Sequence, residues 1–256
     1  MPDHDSAYPR PEHIAPAEWA ARVQLAAAYR IFAHLGWAEL IYNHLSLRVP
    51  GEPGHFLLNP FGLHYTEVCA SNLVKVDADG RTIGESRWPI NPAGFTFHGA
   101  IHRTLPEAHC VMHVHTTPTM AVCCLDEGLS YTNFYAAQLH GKVAHHDFEG
   151  ITVHADEGAR ILASAGGAPV LLLRNHGPVV IGQTLAQAFN LLWVLQRACE
   201  VQVASQALGR LRPIPEPVLQ GCVRDSLNFN GQFGAGQDSF DAMQRLVDRI
   251  DPSYRG

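Results

Sequence analysis

The stretch that most restricts the fold is Pro169-Val170-Leu171-Leu172-Leu173, bounded by Gly166-Gly167 before it and Arg174 after it. A continuous apolar run of this length suits a strand buried on both faces. Val179-Val180-Ile181 follows as a second strand, so the chain turns sharply through Arg174-Asn175-His176-Gly177-Pro178. Gly177 is the residue expected to permit that turn and to let His176 project from a strand end.

A second apolar strand, beginning at Cys110-Val111-Met112, ends in His113-Val114-His115. Side chains alternate faces along a strand, so His113 and His115 point the same way, with Val111 beside them. Two neutral imidazoles converging at a strand end are the start of a metal site. The spacing alone decides little in a chain with 16 histidines. His98 and His102, four apart, share one face of a helix expected between Trp88 and Pro106, a spacing that can also chelate a metal. No glutamate adjoins them as it does in zinc-binding helices. His4 and His13 fall in a proline-rich arm over residues 1–15 that is expected to be flexible. His140, His145 and His146 fall in a polar loop or strand edge.

The rest of the pattern is mixed α and β. Pro16 opens a helix with Trp19, Val23, Ala27, Ile31 and Leu35 on one stripe, stopped by Gly36. Leu45, Leu47 and Val49 alternate with Ser46 and Arg48 as a strand, and Phe56-Leu57-Leu58 and Leu73 to Val76 are two more. Asn43 and the loop Asn59-Pro60-Phe61-Gly62 are candidates for lining a pocket and equally suit turns. Helices are expected over Thr119 to Leu125, Phe134 to Leu139 and Asp156 to Ala165. Thr184 with Gln187 caps a long helix burying Leu185, Phe189, Leu192, Leu195 and Cys199. Arg212 to Pro217 is a stiff connector within a C-terminal extension, 208–256, whose final helix carries Phe240, Met243, Val247 and Ile250. Residues 16–256 are expected to form a single domain.

With 46% hydrophobic residues, 256 residues can bury one large core. A net charge of −6 argues against a dedicated binder of nucleic acid or anionic membrane. No apolar segment is long enough to span a bilayer, and the N-terminus lacks a basic, apolar signal pattern. Six cysteines without Cys-x-x-Cys spacing fit reduced, buried thiols in a cytoplasmic protein.

Taken in order, YNHLSLRV, NPFGLHY, FTFHGAIHRTLPEAHCVMHVHTTP and LLLRNHGPVVIG followed by a long helix resemble the class II aldolase/adducin family, over roughly Trp19 to Leu208. The resemblance implies an α/β fold: a three-layer α/β/α sandwich with a mainly antiparallel central sheet, assembled as a homotetramer with active sites near subunit interfaces. It implies a divalent metal, zinc first and manganese or iron as alternatives, held by His113, His115 and His176. In the family's sugar-phosphate aldolases that ion binds substrate carbonyl and hydroxyl oxygens and stabilises the enediolate.

The departures narrow the expectation. The aldolases' acid/base glutamate falls at Gly94, so another group must carry the proton; His98 is the leading candidate, Tyr131 or Tyr135 a weaker one. A tail tyrosine of the aldolases makes Tyr254 a further possible contributor. Tyr42, Phe61, Pro92 and Ala93 stand where the aldolases' phosphate pocket has small or hydroxylic residues, while Asn43 and Gly62 match it. Aromatic rings in place of hydroxyl donors disfavour a phosphomonoester. The expected function is a metal-dependent carbon–carbon lyase, aldolase or decarboxylase, on an unphosphorylated hydroxy- or oxo-acid, with Asn43, Phe61, Gly62 and Gly94 near the substrate. Three histidines could instead hold ferrous iron for an oxygenase, and a non-catalytic, adducin-like oligomeric module is the third reading.

Overall fold

The computed structural model, which describes residues 7–152, 154, 156–228 and 235–256, places Val170–Leu173 inside a seven-stranded sheet, buried at every position. The strands are β1 (His44–Arg48), β2 (Phe56–Leu58), β3 (Val74–Val76), β4 (Cys110–His113), β5 (Val143–His146), β6 (Val170–Leu173) and β7 (Gly177–Gly182). Their order across the sheet is β3-β2-β1-β4-β7-β6-β5. Among the described residues only β5 and β6 pair in parallel; the other five pairings are antiparallel, as expected.

Eight helices cover it among the described residues: α1 (Pro16–His34), α2 (Pro92–Thr104), α3 (Thr117–Cys123), α4 (Phe134–Ala137), α5 (Glu157–Ala165), α6 (Leu185–Gln206), α7 (Glu216–Asn228) and α8 (Gln237–Ile250). The period-2 alternation of the strands separates two cores. Leu45, Leu47, Cys110, Met112, Leu172 and Val180 face α1 and α6 on one side. Val111, Leu171, Leu173 and Val179 face Phe97 and Ile101 of α2 and Ile161 of α5 on the other. These opposed faces make the three layers.

Several helices differ in detail from the sequence reading. In α1 the residues from Leu25 to Phe32 are all buried, so the helix lies inside the core rather than presenting one stripe. Its charged residues are accommodated by pairing: Arg22 Nε donates to Glu18 at 2.8 Å and Nη1 to the Leu73 carbonyl at 2.7 Å. In α6, Leu185, Phe189, Leu192, Leu195 and Cys199 are all buried. The proline-rich connector gives way to α7, a helix that Pro213, Pro215 and Pro217 obscured. Of the arm, residues 1–6 lie outside the described residues, and Ile14 is buried rather than free. No helix among the described residues is long and apolar enough to cross a membrane.

Candidate active site

Three elements meet at one end of the sheet. His113 closes β4, His115 lies two residues beyond, and His176 sits in the turn between β6 and β7. Because β4 pairs with β7 in the register His113↔Val179, the turn lies beside the histidine pair. One ligand atom from each of the three lies within 4.8 Å of the others. The turn is made differently from the expectation. Asn175, at φ 57°, takes the left-handed conformation, which asparagine tolerates better than most residues. Gly177 is needed for closeness instead: a Cβ there would lie 2.6 Å from the Val114 carbonyl oxygen.

The hydrogen bonds fix which nitrogen faces the cluster. His113 Nδ1 lies 2.9 Å from the Pro178 carbonyl, which can only accept, so Nδ1 carries the proton. His115 Nδ1 lies 2.9 Å from Glu39 Oε2, a carboxylate that accepts likewise. Burial pushes all three imidazoles below their ordinary pKa, His176 to about 4, so they are neutral at pH 7. The Nε2 atoms of His113 and His115 then face each other at 2.7 Å as bare lone pairs. Two facing acceptors with no proton between them repel unless a cation sits there. The donor set therefore fits a divalent ion of borderline softness, with no protein carboxylate among its three ligands.

The cluster opens into a cavity of about 380 Å³ lined by Tyr42, Asn43, Phe61, Phe97, Phe148 and Thr152, among others. No lysine or arginine lines it among the described residues. Asn43, 2% exposed and at φ 68°, has both amide side-chain atoms unpartnered. Leaving a buried amide unsatisfied costs about 1–3 kcal/mol, which a bound polar ligand would offset.

His44, at the start of β1, is a lining residue that the sequence reading passed over. Its ring stacks on His113, with centroids 5.1 Å apart. The available signal was the alternation of β1: extended back by one step, it puts His44 on the polar face of Ser46. The pairing His44↔His113 depends on a fold contact that spacing does not encode. Glu39 was missed for the same reason.

The other expected residues are placed unevenly. Phe61 lines the cavity, whereas Gly62, at φ 104°, lies against the Trp88 ring. Gly94, at the start of α2, adjoins His44: a Cβ there would overlap the ring, 2.5 Å from Nε2. His98 does not reach the cavity. It is fully buried behind His44, with one ring nitrogen on His44 Nδ1 at 2.8 Å and the other on Ser46 Oγ at 2.6 Å. Both nitrogens are spent, so His98 cannot touch a substrate. Tyr135 is not among the lining residues; its ring lies under the Arg197 guanidinium on α6. Tyr131 packs edge-on against His140, and Tyr254 is buried with its hydroxyl donating to Asp248 at 2.5 Å.

A mainly antiparallel sheet between helical layers, with three histidines converging at its end, defines a class of fold and site that other proteins share. The chain belongs to the class II aldolase and adducin family: the family model described as the class II aldolase and adducin N-terminal domain matches residues 23–203. A Pseudomonas aeruginosa protein bearing only a class designation, aldolase class 2, is 41% identical over 246 residues, 94% of each chain. Rat alpha-adducin is 44% identical over 189 residues, 73% of this chain and 26% of that protein. Among solved structures, an aldolase II superfamily protein from Pseudomonas syringae aligns with a TM-score of 0.90 and 37% identity, covering 96% of this chain and 98% of that one. An L-fuculose 1-phosphate aldolase from Glaciozyma antarctica aligns with a TM-score of 0.83 and 28% identity, covering 98% and 99%.

Proposed function

We propose that this protein is a divalent-metal-dependent carbon–carbon lyase, of aldolase or decarboxylase type, acting on an unphosphorylated hydroxy- or oxo-acid. The observation that carries this reading is the pair of facing Nε2 lone pairs of His113 and His115, with His176 beside them, at the wall of an open cavity. An ion bound there supplies Lewis-acid polarisation of carbonyl and hydroxyl oxygens. Zinc suits three neutral imidazoles best, with manganese or iron as alternatives. Glu39 and the Pro178 carbonyl orient the ligands.

The walls speak for the substrate class. Tyr42, Phe61, Phe97 and Phe148 give the cavity an aromatic lining. A phosphate group asks for charge-assisted donors, and among the described residues neither lysine nor arginine stands there. The unpartnered Asn43 amide suits a carboxylate or hydroxyl of the substrate. Phe148 and Ile151 line the cavity yet are 55% and 79% exposed, an apolar rim that suits cover by a neighbouring subunit of a homotetramer. A second reading, a non-catalytic oligomeric module, is favoured by the similarity to rat alpha-adducin.

Metal analysis of protein purified without added metal separates the readings. The lyase reading expects about one zinc or manganese ion per chain and cleavage or decarboxylation of a member of a panel of unphosphorylated hydroxy- and oxo-acids. Iron would turn the assignment to an oxygenase. No metal, with a melting temperature indifferent to chelator, would sink the lyase and support the module.

A further inference from the structure

Behind the cavity runs a buried line of side chains from α2 and β1. His44 Nδ1 meets His98 Nε2 at 2.8 Å, His98 Nδ1 meets Ser46 Oγ at 2.6 Å, and Ser46 Oγ meets His102 Nε2 at 2.7 Å. His102 Nδ1 ends the line at the Ala108 carbonyl, 2.8 Å away. Ser46 and His98 are 0% exposed and His102 is 2% exposed. His44 stacks on His113 of the three-histidine cluster, with centroids 5.1 Å apart, but among the described residues no hydrogen bond joins the line to that cluster.

The line has a direction, and its far end sets it. A carbonyl oxygen only accepts, so His102 Nδ1 carries a proton; burial keeps the ring neutral, so Nε2 is an acceptor. Ser46 therefore donates its single hydroxyl proton to His102. Toward His98 the hydroxyl can then only accept, which puts the His98 proton on Nδ1 and leaves its Nε2 bare. That bare nitrogen requires a donor, so the proton of His44 sits on Nδ1. The consequence is at the other edge of the His44 ring: Nε2 is a lone pair. That edge lies against Gly94, whose missing side chain leaves the ring its space, and His44 itself lines the cavity.

We propose that His44 is the catalytic proton acceptor and donor of the site, acting through Nε2, and that His98, Ser46 and His102 are positioning residues that hold its tautomer. The role rests on the lyase reading above. In carbon–carbon cleavage a substrate hydroxyl gives its proton to His44 Nε2, and its oxygen's electron pair forms the new carbonyl. The C–C bond breaks with its pair going to the α-carbon of the other fragment. That carbon then takes the proton back from Nε2, so protons and electrons balance without a co-reactant. The buried line is a clamp and not a proton sink: Arg48, which donates to the His102 carbonyl at 2.7 Å, opposes positive charge at its far end.

The test reads the tautomer of His44 by nitrogen-15 NMR in the metal-free full chain carrying labelled histidine, with the resonances assigned by loss in His44→Asn. Wild type should show one tautomer, protonated at Nδ1. Ser46→Ala should give a mixture, and Ser46→Thr, which keeps the hydroxyl, should restore the single form. His102→Phe, able to stack on Phe56 as the imidazole does at 4.4 Å, removes the anchor from the other end and should scramble the tautomer as well. A wild-type proton on Nε2, or a tautomer that neither Ser46→Ala nor His102→Phe moves, overturns the proposal. Glycolate added to the zinc-loaded protein supplies a separate readout. It should shift the His44 Nε2 resonance; binding without that shift overturns the contact. Glycolate that fails to bind counts against the hydroxy-acid reading, and the ligand-free tautomer then decides on His44 by itself.

Discussion

Two groups of histidines stand side by side in this protein and are built on opposite logic. In the cluster of His113, His115 and His176, the orienting hydrogen bonds of the first two are made at the outer edges of their rings, so their lone pairs face one point beside His176. In the line of His44, His98 and His102, each lone pair inside the line is met by a donor, and only the last nitrogen is left open. Burial makes all six rings neutral. Histidine count and burial therefore do not separate a ligand set from a clamp; the facing of each nitrogen does.

The widest gap between the groups should appear on removing a ring from each. His176→Ala should cost the metal and, with it, turnover on whichever acid the panel identifies. Second-sphere changes at metal sites typically weaken binding about 10–100-fold, so loss of a ligand should exceed that range. His44→Asn should instead keep the metal and lose about 100-fold or more in kcat, the usual scale for one acid/base group. Metal stoichiometry beside kcat reads both. If His44→Asn also loses the metal, the two groups are one site and the comparison collapses.

Glu39→Gln probes the cluster from outside. The carboxylate that orients His115 becomes an amide that can place either oxygen or NH2 against Nδ1. Zinc affinity, measured by competition with a chelator, should fall about 10–100-fold while the fold's melting temperature in chelator stays put. An unchanged affinity would mean that the Glu39 contact does not orient the ligand.

Gly94→Ala probes the space between the groups. Its methyl would overlap the His44 ring, so over-packing should cost about 1–3 kcal/mol in urea unfolding. In a His44→Ala background the same change has room and should cost much less. Additive effects of the two substitutions would show that the ring and the glycine do not share that space.

The sequence showed unequal parts of this. The strands and most helices were legible in the apolar pattern, and His113 and His115 stood out because they lie one strand step apart; the three layers, and His176 as the third ligand, came from the family resemblance rather than from spacing. His98 and His102 were correctly put on one helix face, but what that face meets, the Ser46 hydroxyl rather than a metal, depends on β1 crossing beneath α2. His44 and Glu39 were invisible for the same reason: each acts through a partner at least 54 positions away, by a pairing that no local spacing records. Tyr135 was a residue type suited to proton transfer in a neighbourhood that turned out to serve α6.

The smallest effect should be on acid stability, and it belongs to the clamp. In the metal-free protein His102 has its pKa pushed by burial from 6.5 down to about 3. A depressed histidine is neutral when folded, while its unfolded counterpart takes up a proton below pH 6.5. The unfolded state therefore binds more protons between pH 6.5 and about 3, and stability must fall as pH falls through that window. Above pH 6.5 neither state binds the proton and the effect vanishes. One such group contributes a slope of at most about 1.4 kcal/mol per pH unit. Urea unfolding of His102→Phe at several pH values from about 6.5 down to about 4.5 should show an acid limb shallower by up to that amount. An unaltered slope would mean that His102 takes up its proton in the folded state, and then the direction of the whole hydrogen-bonded line, His44 included, would reverse its basis.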